Sequence, residues 1–139
     1  MKLGKYFTLG ELTQTSTGLV NSPNQDEITN LKLLVKNVLD PAREEFGDAI
    51  SVSSGYRSPL VNRTVGGSKT SAHMKGRAVD IKCSNNAKLF DILKKYKFRQ
   101  LIWEKGNDKQ PAWIHIEYNE NDNKGQILKF DGKSYKTIN

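Results

Sequence analysis

The chain has only two histidines, His73 and His115, and an aspartate, Asp80, follows the first by seven positions. His73 and Asp80 share the segment Ser71-Ala72-His73-Met74-Lys75-Gly76-Arg77-Ala78-Val79-Asp80, and His115 lies in Trp113-Ile114-His115-Ile116-Glu117. Two neutral imidazoles and one carboxylate make the three-ligand set of a catalytic zinc, which keeps its fourth position for water. Nitrogen and oxygen donors without thiolate also suit zinc better than copper(I) or an iron–sulfur cluster. These residue types point to a hydrolytic zinc centre.

Spacing alone would not carry that conclusion, because a buried histidine bonded to a nearby carboxylate is the common alternative. The local grammar favours a ligand. His73 follows a small, polar, turn-forming run, Gly66-Gly67-Ser68-Lys69-Thr70-Ser71, which can present a side chain at a cleft. Asp80 lies in Arg77-Ala78-Val79-Asp80-Ile81-Lys82, whose alternation predicts a strand. On the pleat Asp80 shares a face with the small Ala78, leaving room for a metal, and Gly76 permits a tight turn into the strand.

The elements that must position these residues are also readable. Thr8 and Glu11 form a capping-box pattern, predicting a short helix from Leu9 that ends before Gly18. Ser22 at N-cap and Pro23 at the first position predict a second helix, whose stripe is Ile28, Leu31, Leu34, Val35, Val38 and Leu39. Pro41 should kink it or start a further turn that runs to Phe46 and stops at Gly47. Residues 49–53 alternate as a strand leading to Gly55-Tyr56-Arg57, and residues 62–65 allow one helical turn. Ser84 is expected to cap a helix burying Leu89, Phe90, Leu93 and Tyr96. Gln100 to Glu104 and Trp113 to Tyr118 read as strands, and residues 126–130 with 134–138 as a hairpin around Asp131-Gly132.

Ser71-x-His73-x-x-Gly76-x-Ala78-x-Asp80 followed by a distant Trp113-x-His115 resembles the zinc D-Ala-D-Ala carboxypeptidase and dipeptidase family, which includes L-alanyl-D-glutamate endopeptidases used as phage endolysins. Ser53-Ser54-Gly55-Tyr56-Arg57-Ser58-Pro59, with Asn62 and Gly66-Gly67-Ser68, is similar to the family's first half. The resemblance spans roughly residues 7 to 118. It implies an α+β fold shared with the Hedgehog signalling domain, a central antiparallel sheet with flanking helices, and cleavage of peptidoglycan stem peptides. It also implies zinc on His73, Asp80 and His115, and an Arg57 that contacts a substrate carbonyl or carboxylate. An arginine's ordinary fate is a surface ion pair, and Ser71 can either cap its turn or donate to substrate. Trp113 is expected to pack beside the ligand and shield the metal.

One departure bears on mechanism. Many members carry a carboxylate three residues before the last ligand as general base, and here that residue is Ala112. Glu104, at the end of a strand expected beside that of His115, is the preferred substitute. Glu117 competes, because it shares a pleat face with His115. Without a base, the alternative is a non-catalytic, zinc-containing, Hedgehog-like binding module.

Composition sets the outer bounds. The 139 residues read as one catalytic domain, 1–139, without need of disulfides, and the single Cys83 is expected to be inert. No apolar run approaches the roughly 18 residues of a membrane span. Met1 to Thr8 lacks an apolar segment, so no signal peptide is expected; the chain would be made in the cytoplasm and reach the wall by release or another factor. The net charge of +7 suits a polyanionic wall, whereas the scattered lysines do not form a nucleic-acid patch. Lys94 to Arg99 is the one basic cluster and reads as a solvated helix end. A monomer acting on a peptide substrate is expected.

Overall fold

Six alternating segments pair into one sheet in the computed structural model, which describes residues 1–138. They are β1 (Ile50–Ser54), β2 (Ala78–Cys83), β3 (Gln100–Glu104), β4 (Trp113–Glu117), β5 (Gln126–Phe130) and β6 (Tyr135–Thr137), in the order β1-β2-β4-β3-β5-β6. The architecture is α+β. All neighbours are antiparallel except β3 and β5, which run parallel. The chain reverses after β4, so β5 runs in the direction of β3. Both edges of β4 are already taken by β2 and β3, and the open edge belongs to β3.

Register sorts the sheet into two faces. Asp80 pairs with His115, His115 with Ile102, Glu117 with Gln100 and Trp113 with Glu104, so all of these project to one side. Their neighbours Val79, Ile81, Leu101, Ile114 and Ile116 project to the other, where they are fully buried in the hydrophobic core. Period two thus divides core from chemistry along every central strand.

Helices cover the apolar face. Thr8 and Glu11 cap α1 (Leu9–Thr13) reciprocally, as their spacing predicts. The second helix, α2 (Gln25–Leu34), starts later than the Ser22-Pro23 signal suggests. Asn24 is the N-cap and Glu27 closes the capping box, an amide–carboxylate pair that satisfies two helix-end donors. Pro41 stands in the first turn of a further helical segment, the second of the two outcomes its position allows. Val35–Leu39 widens into a π-turn, in which the Asp40 N–H reaches the Val35 carbonyl, and α3 (Asp40–Phe46) continues to Gly47 in left-handed conformation. The wide turn accommodates a residue that has no N–H to give and whose ring crowds the preceding turn. Leu31, Leu34, Val35, Val38 and Leu39 are fully buried, so the stripe is core.

Two smaller elements frame the polar face, and a third joins the helical layer on the apolar one. Ser58 caps α4 (Pro59–Thr64), a fuller helix than the single turn expected. Ala72–Lys75 forms a 3₁₀ turn, and α5 (Asn86–Leu93) is capped by Asn85 rather than Ser84. At Gly55 and Gly76 the backbones of the site's loops touch those of the helices. A Cβ at Gly55 would meet the Leu12 carbonyl of α1, and one at Gly76, whose φ is +71°, would meet the Glu27 carbonyl of α2. These approaches seat the loops on either side of the site against the helical layer. Among the described residues no helix is long and apolar enough to cross a membrane.

Candidate metal centre

His73 enters the site from the 3₁₀ turn. Ser71 caps that turn, its hydroxyl accepting the His73 N–H at 3.2 Å. The His73 Nδ1 lies 2.7 Å from the Gly55 carbonyl oxygen, which can only accept. The ring proton therefore sits on Nδ1, and Nε2 offers its lone pair 3.4 Å from Asp80 Oδ2. Asp80 stands on β2 beside the fully buried Ala78. Directly across the ladder on β4, His115 Nδ1 lies 2.9 Å from Asp80 Oδ1, while its Nε2 lies 3.0 Å from Glu117 Oε2.

The donor atoms of His73, Asp80 and His115 all lie within 4.8 Å of one another. Donors on a tetrahedron about 2.0–2.1 Å from a zinc ion are roughly 3.3 Å apart, so this trio fits such an ion with only small adjustments. Each imidazole also has its far nitrogen held, His73 by a backbone carbonyl and His115 by a carboxylate. That arrangement orients metal-binding histidines and fixes their tautomers. Burial and donor chemistry agree with a metal centre.

Electrostatics in the trio follow from the same contacts. Burial pushes the Asp80 carboxyl up, but hydrogen bonds with His115 and His73 outweigh it and hold the group well below the usual carboxylate range. Burial pushes the His115 imidazole down, but Asp80 and Glu117 on its two sides raise it to about 10. In the metal-free chain His115 is thus protonated at neutral pH, and a cation must displace that proton.

Trp113, Glu104, Ile102, Gln100 and Arg57 line the same cavity, of about 550 Å³. Glu104 and Glu117 are both buried, with 8% and 6% of their surface exposed. Their surroundings differ. Among the described residues the Glu104 carboxylate has no hydrogen-bond partner, and burial raises its pKa. Glu117 accepts from His115 and, at 3.2 Å, from Arg99; burial pushes its carboxyl up, but these partners pull it below the ordinary value. Ala112 is exposed, and its N–H donates to the backbone carbonyl of Glu104, so the missing carboxylate's position adjoins the strand that brings one.

Arg57 is braced rather than free. Its Nε donates to Ser54 Oγ at 2.9 Å, Nη1 to Asn62 Oδ1 at 3.3 Å and Nη2 to Asp80 Oδ2 at 3.4 Å. It pairs with a carboxylate inside the site rather than at the surface, and it lines the cavity. Ser71 is a cap that also lines the cavity, so its hydroxyl hydrogen remains available. The Trp113 ring flanks the centre under the Lys105 ammonium, 5.4 Å from the ring centroid.

Sequence reasoning gave no site role to four residues. Asn62, 3% exposed, connects Arg57 to the glycine-rich loop through the Ser68 carbonyl. Gln100 follows from Glu104 by period two, a signal already present in the strand. Arg99 departs from the solvated cluster assumed for Lys94 to Arg99 and reaches Glu117 and Asp122. Tyr135, on the C-terminal hairpin, reaches the cavity wall, and no local pattern marks it.

A family model described as Peptidase M15 matches residues 5–117. The match ends at the last residue of β4, leaving β5 and β6 outside it. No curated protein matches the chain.

Proposed function

The chain belongs to the peptidase M15 family, and from that premise we propose that it is a zinc-dependent peptidase hydrolysing amide bonds in peptidoglycan stem peptides. The observation that carries this reading is the convergence of the His73, Asp80 and His115 donors in one cavity with Glu104. The scissile bond is D-Ala-D-Ala or L-Ala-D-Glu. A lytic role on the bacterial wall, as in an endolysin delivered by another factor, belongs to the same proposal.

His73, Asp80 and His115 would hold the zinc. When bound, it would supply Lewis acidity, acidifying water and polarising a carbonyl. Glu104 accepts a proton from the attacking water and returns it to the leaving amine nitrogen. Burial makes Glu104 a better base than an exposed glutamate, and with no hydrogen-bond partner among the described residues its oxygens are open to water. Arg57, locked by Ser54 and Asn62, directs guanidinium N–H groups toward the substrate carbonyl or carboxylate and the charge that develops there. Ser71 offers its hydroxyl hydrogen to the peptide. Glu117 keeps the His115 ring in place and holds its Nε2 proton, while Trp113 excludes bulk water.

The rival is a non-catalytic zinc-containing binding module, which Ala112 favours. Glu104 weakens it, since a carboxylate shares the cavity with the ligands after all. Incubating zinc-loaded protein with purified peptidoglycan, followed by mass spectrometry of released fragments, separates the two. New peptide termini identify the bond; an intact wall with bound protein would favour the module.

A further inference from the structure

The catalytic cavity does not end at Glu117. It adjoins a second cavity of about 210 Å³, and the two share Thr70, Ala72, Arg99 and Glu117 in their walls. The far part of this trough is lined by Lys75, Arg77 and Asn119. Three cations, Lys75, Arg77 and Arg99, thus face a space whose only carboxylate among the described residues, Glu117, is already engaged by His115 and Arg99. Arg99 is further occupied by Asp122. Lys75 and Arg77 make no ion pair among the described residues, although Arg77 is half-buried. A partly desolvated guanidinium without a counter-charge, beside an ammonium and an amide, is a site for a planar anion.

The backbone that carries both cations is fixed within the ligand-bearing segment. Gly76 sits against α2 between them, the Asn30 side chain binds the Lys75 carbonyl, and the Arg77 carbonyl accepts the Tyr118 N–H. The same four residues that connect His73 to β2 therefore carry the positive wall. A peptide whose amide lies at the metal centre can extend into this trough.

We propose that Lys75 and Arg77, with Arg99 behind them, form an anion subsite that takes a free carboxylate of the bound peptide. The proposal rests on the peptidase reading for its ligand class. Stem peptides carry two kinds of free carboxylate, the C-terminal one and the α-carboxylate of γ-linked D-Glu, and either has the chemistry the subsite recognises.

Three synthetic pentapeptides distinguish the sources: the free acid, its C-terminal carboxamide, and the form amidated only at the D-Glu α-carboxylate. Their affinities for the zinc-loaded protein are measured by titration calorimetry, alongside hydrolysis. One amidation should weaken binding about tenfold or more, the size of a lost charge-assisted hydrogen bond. In a Lys75→Gln/Arg77→Gln variant the acid and that amide should bind alike. Arg77→Glu should reverse the order, so that the amide binds better, a sign change that poor folding cannot imitate. Equal affinity of all three peptides for the wild-type protein, or no binding of any, overturns the subsite, as does a preference that survives in the double variant. Discrimination without hydrolysis would leave the subsite standing and sink the peptidase reading instead.

Discussion

Glu104 ends β3 and Glu117 ends β4, and because these strands are antiparallel the two carboxylates stand at opposite ends of one polar floor. Both are buried and both line the same cavity. At one end, burial without a partner raises the carboxyl; at the other, an imidazole and a guanidinium lower it. The difference teaches that residue type and strand parity nominate a catalytic carboxylate, while the surrounding donors assign its work. Where neighbouring titratable groups are pushed apart, the acid–base role goes to the group left unpaired. Glu117 is taken up by His115 and Arg99; in the proposed mechanism Glu104 is the carboxylate left to exchange protons.

The largest effect comes from removing the ring beside Glu117. His115→Ala should abolish both hydrolysis and zinc retention, taking metal analysis from about one ion per chain to none. Full zinc occupancy in that variant would overturn the ligand assignment. Next comes the contrast itself. Glu104→Gln should keep zinc and fold while kcat falls by about 10²–10⁴, the usual worth of a general base. An active Glu104→Gln paired with an inactive, fully metallated Glu117→Gln would reverse the two roles, and activity in both would end the base model.

Glu117→Gln should act mainly on the metal. Its zinc affinity, measured against a chelator, should drop about 10–100-fold, as when a partner behind a ligating histidine is altered. Excess zinc should restore most of its hydrolysis, and should do nothing for Glu104→Gln.

Stability offers a smaller and opposite pair of shifts in the metal-free proteins. Glu117 has a folded pKa below its ordinary value of 4.5, so it stabilises the fold above that pH and loses the contribution as pH falls through the lowered value. Glu104 has a folded pKa above 4.5, so protonation favours the fold. Its penalty develops as pH rises from 4.5 through the raised value and is complete above it. Near neutrality Glu104→Gln should therefore melt higher and Glu117→Gln lower, each by on the order of 1 kcal/mol or a few degrees. In acid the gain from Glu104→Gln should vanish. Melting curves at about pH 7 and about pH 4, on either side of the ordinary glutamate value, test both signs.

Salt should disturb this contrast least. Screening acts beyond roughly 8 Å at physiological ionic strength, so several hundred millimolar salt should weaken wall attachment driven by the +7 charge. Hydrolysis of a short soluble peptide, which depends on groups at contact distance, should change little. Undiminished wall binding in a salt-series pull-down would point to a specific recognition surface instead.

Much of the molecule is written in local pattern. The His73-to-Asp80 segment, the alternation in residues 77–82, 100–104 and 113–118, and the Thr8–Glu11 box depend on neighbours within a few residues. Strands form at Ala78–Cys83, Gln100–Glu104 and Trp113–Glu117 and the box closes, whereas His115 joins His73 and Asp80 only through the pairing of β2 with β4. Helix starts are less legible. Ser22-Pro23 and Ser84 carry the right chemistry, but Asn24 and Asn85 lie nearer the first helical turn and compete for the same orphan N–H groups. Nothing near Pro41 announces a π-turn, because the widening is stabilised by the core contacts of Val35, Val38 and Leu39.

What only the tertiary structure decided concerns partners far apart in the chain. Period two sets Glu104 and Glu117 on the polar face, but pairing β3 to β4 brings Arg99 to Glu117 and leaves Glu104 alone. The parallel seat of β5, and with it Tyr135 at the cavity wall, follows from which sheet edge was still open. Periodicity is a property of successive residues and can be read along the chain. Hydrogen-bond partners and the desolvation that shifts a carboxylate's proton affinity arise between segments tens of residues apart, and exist only once those segments have packed.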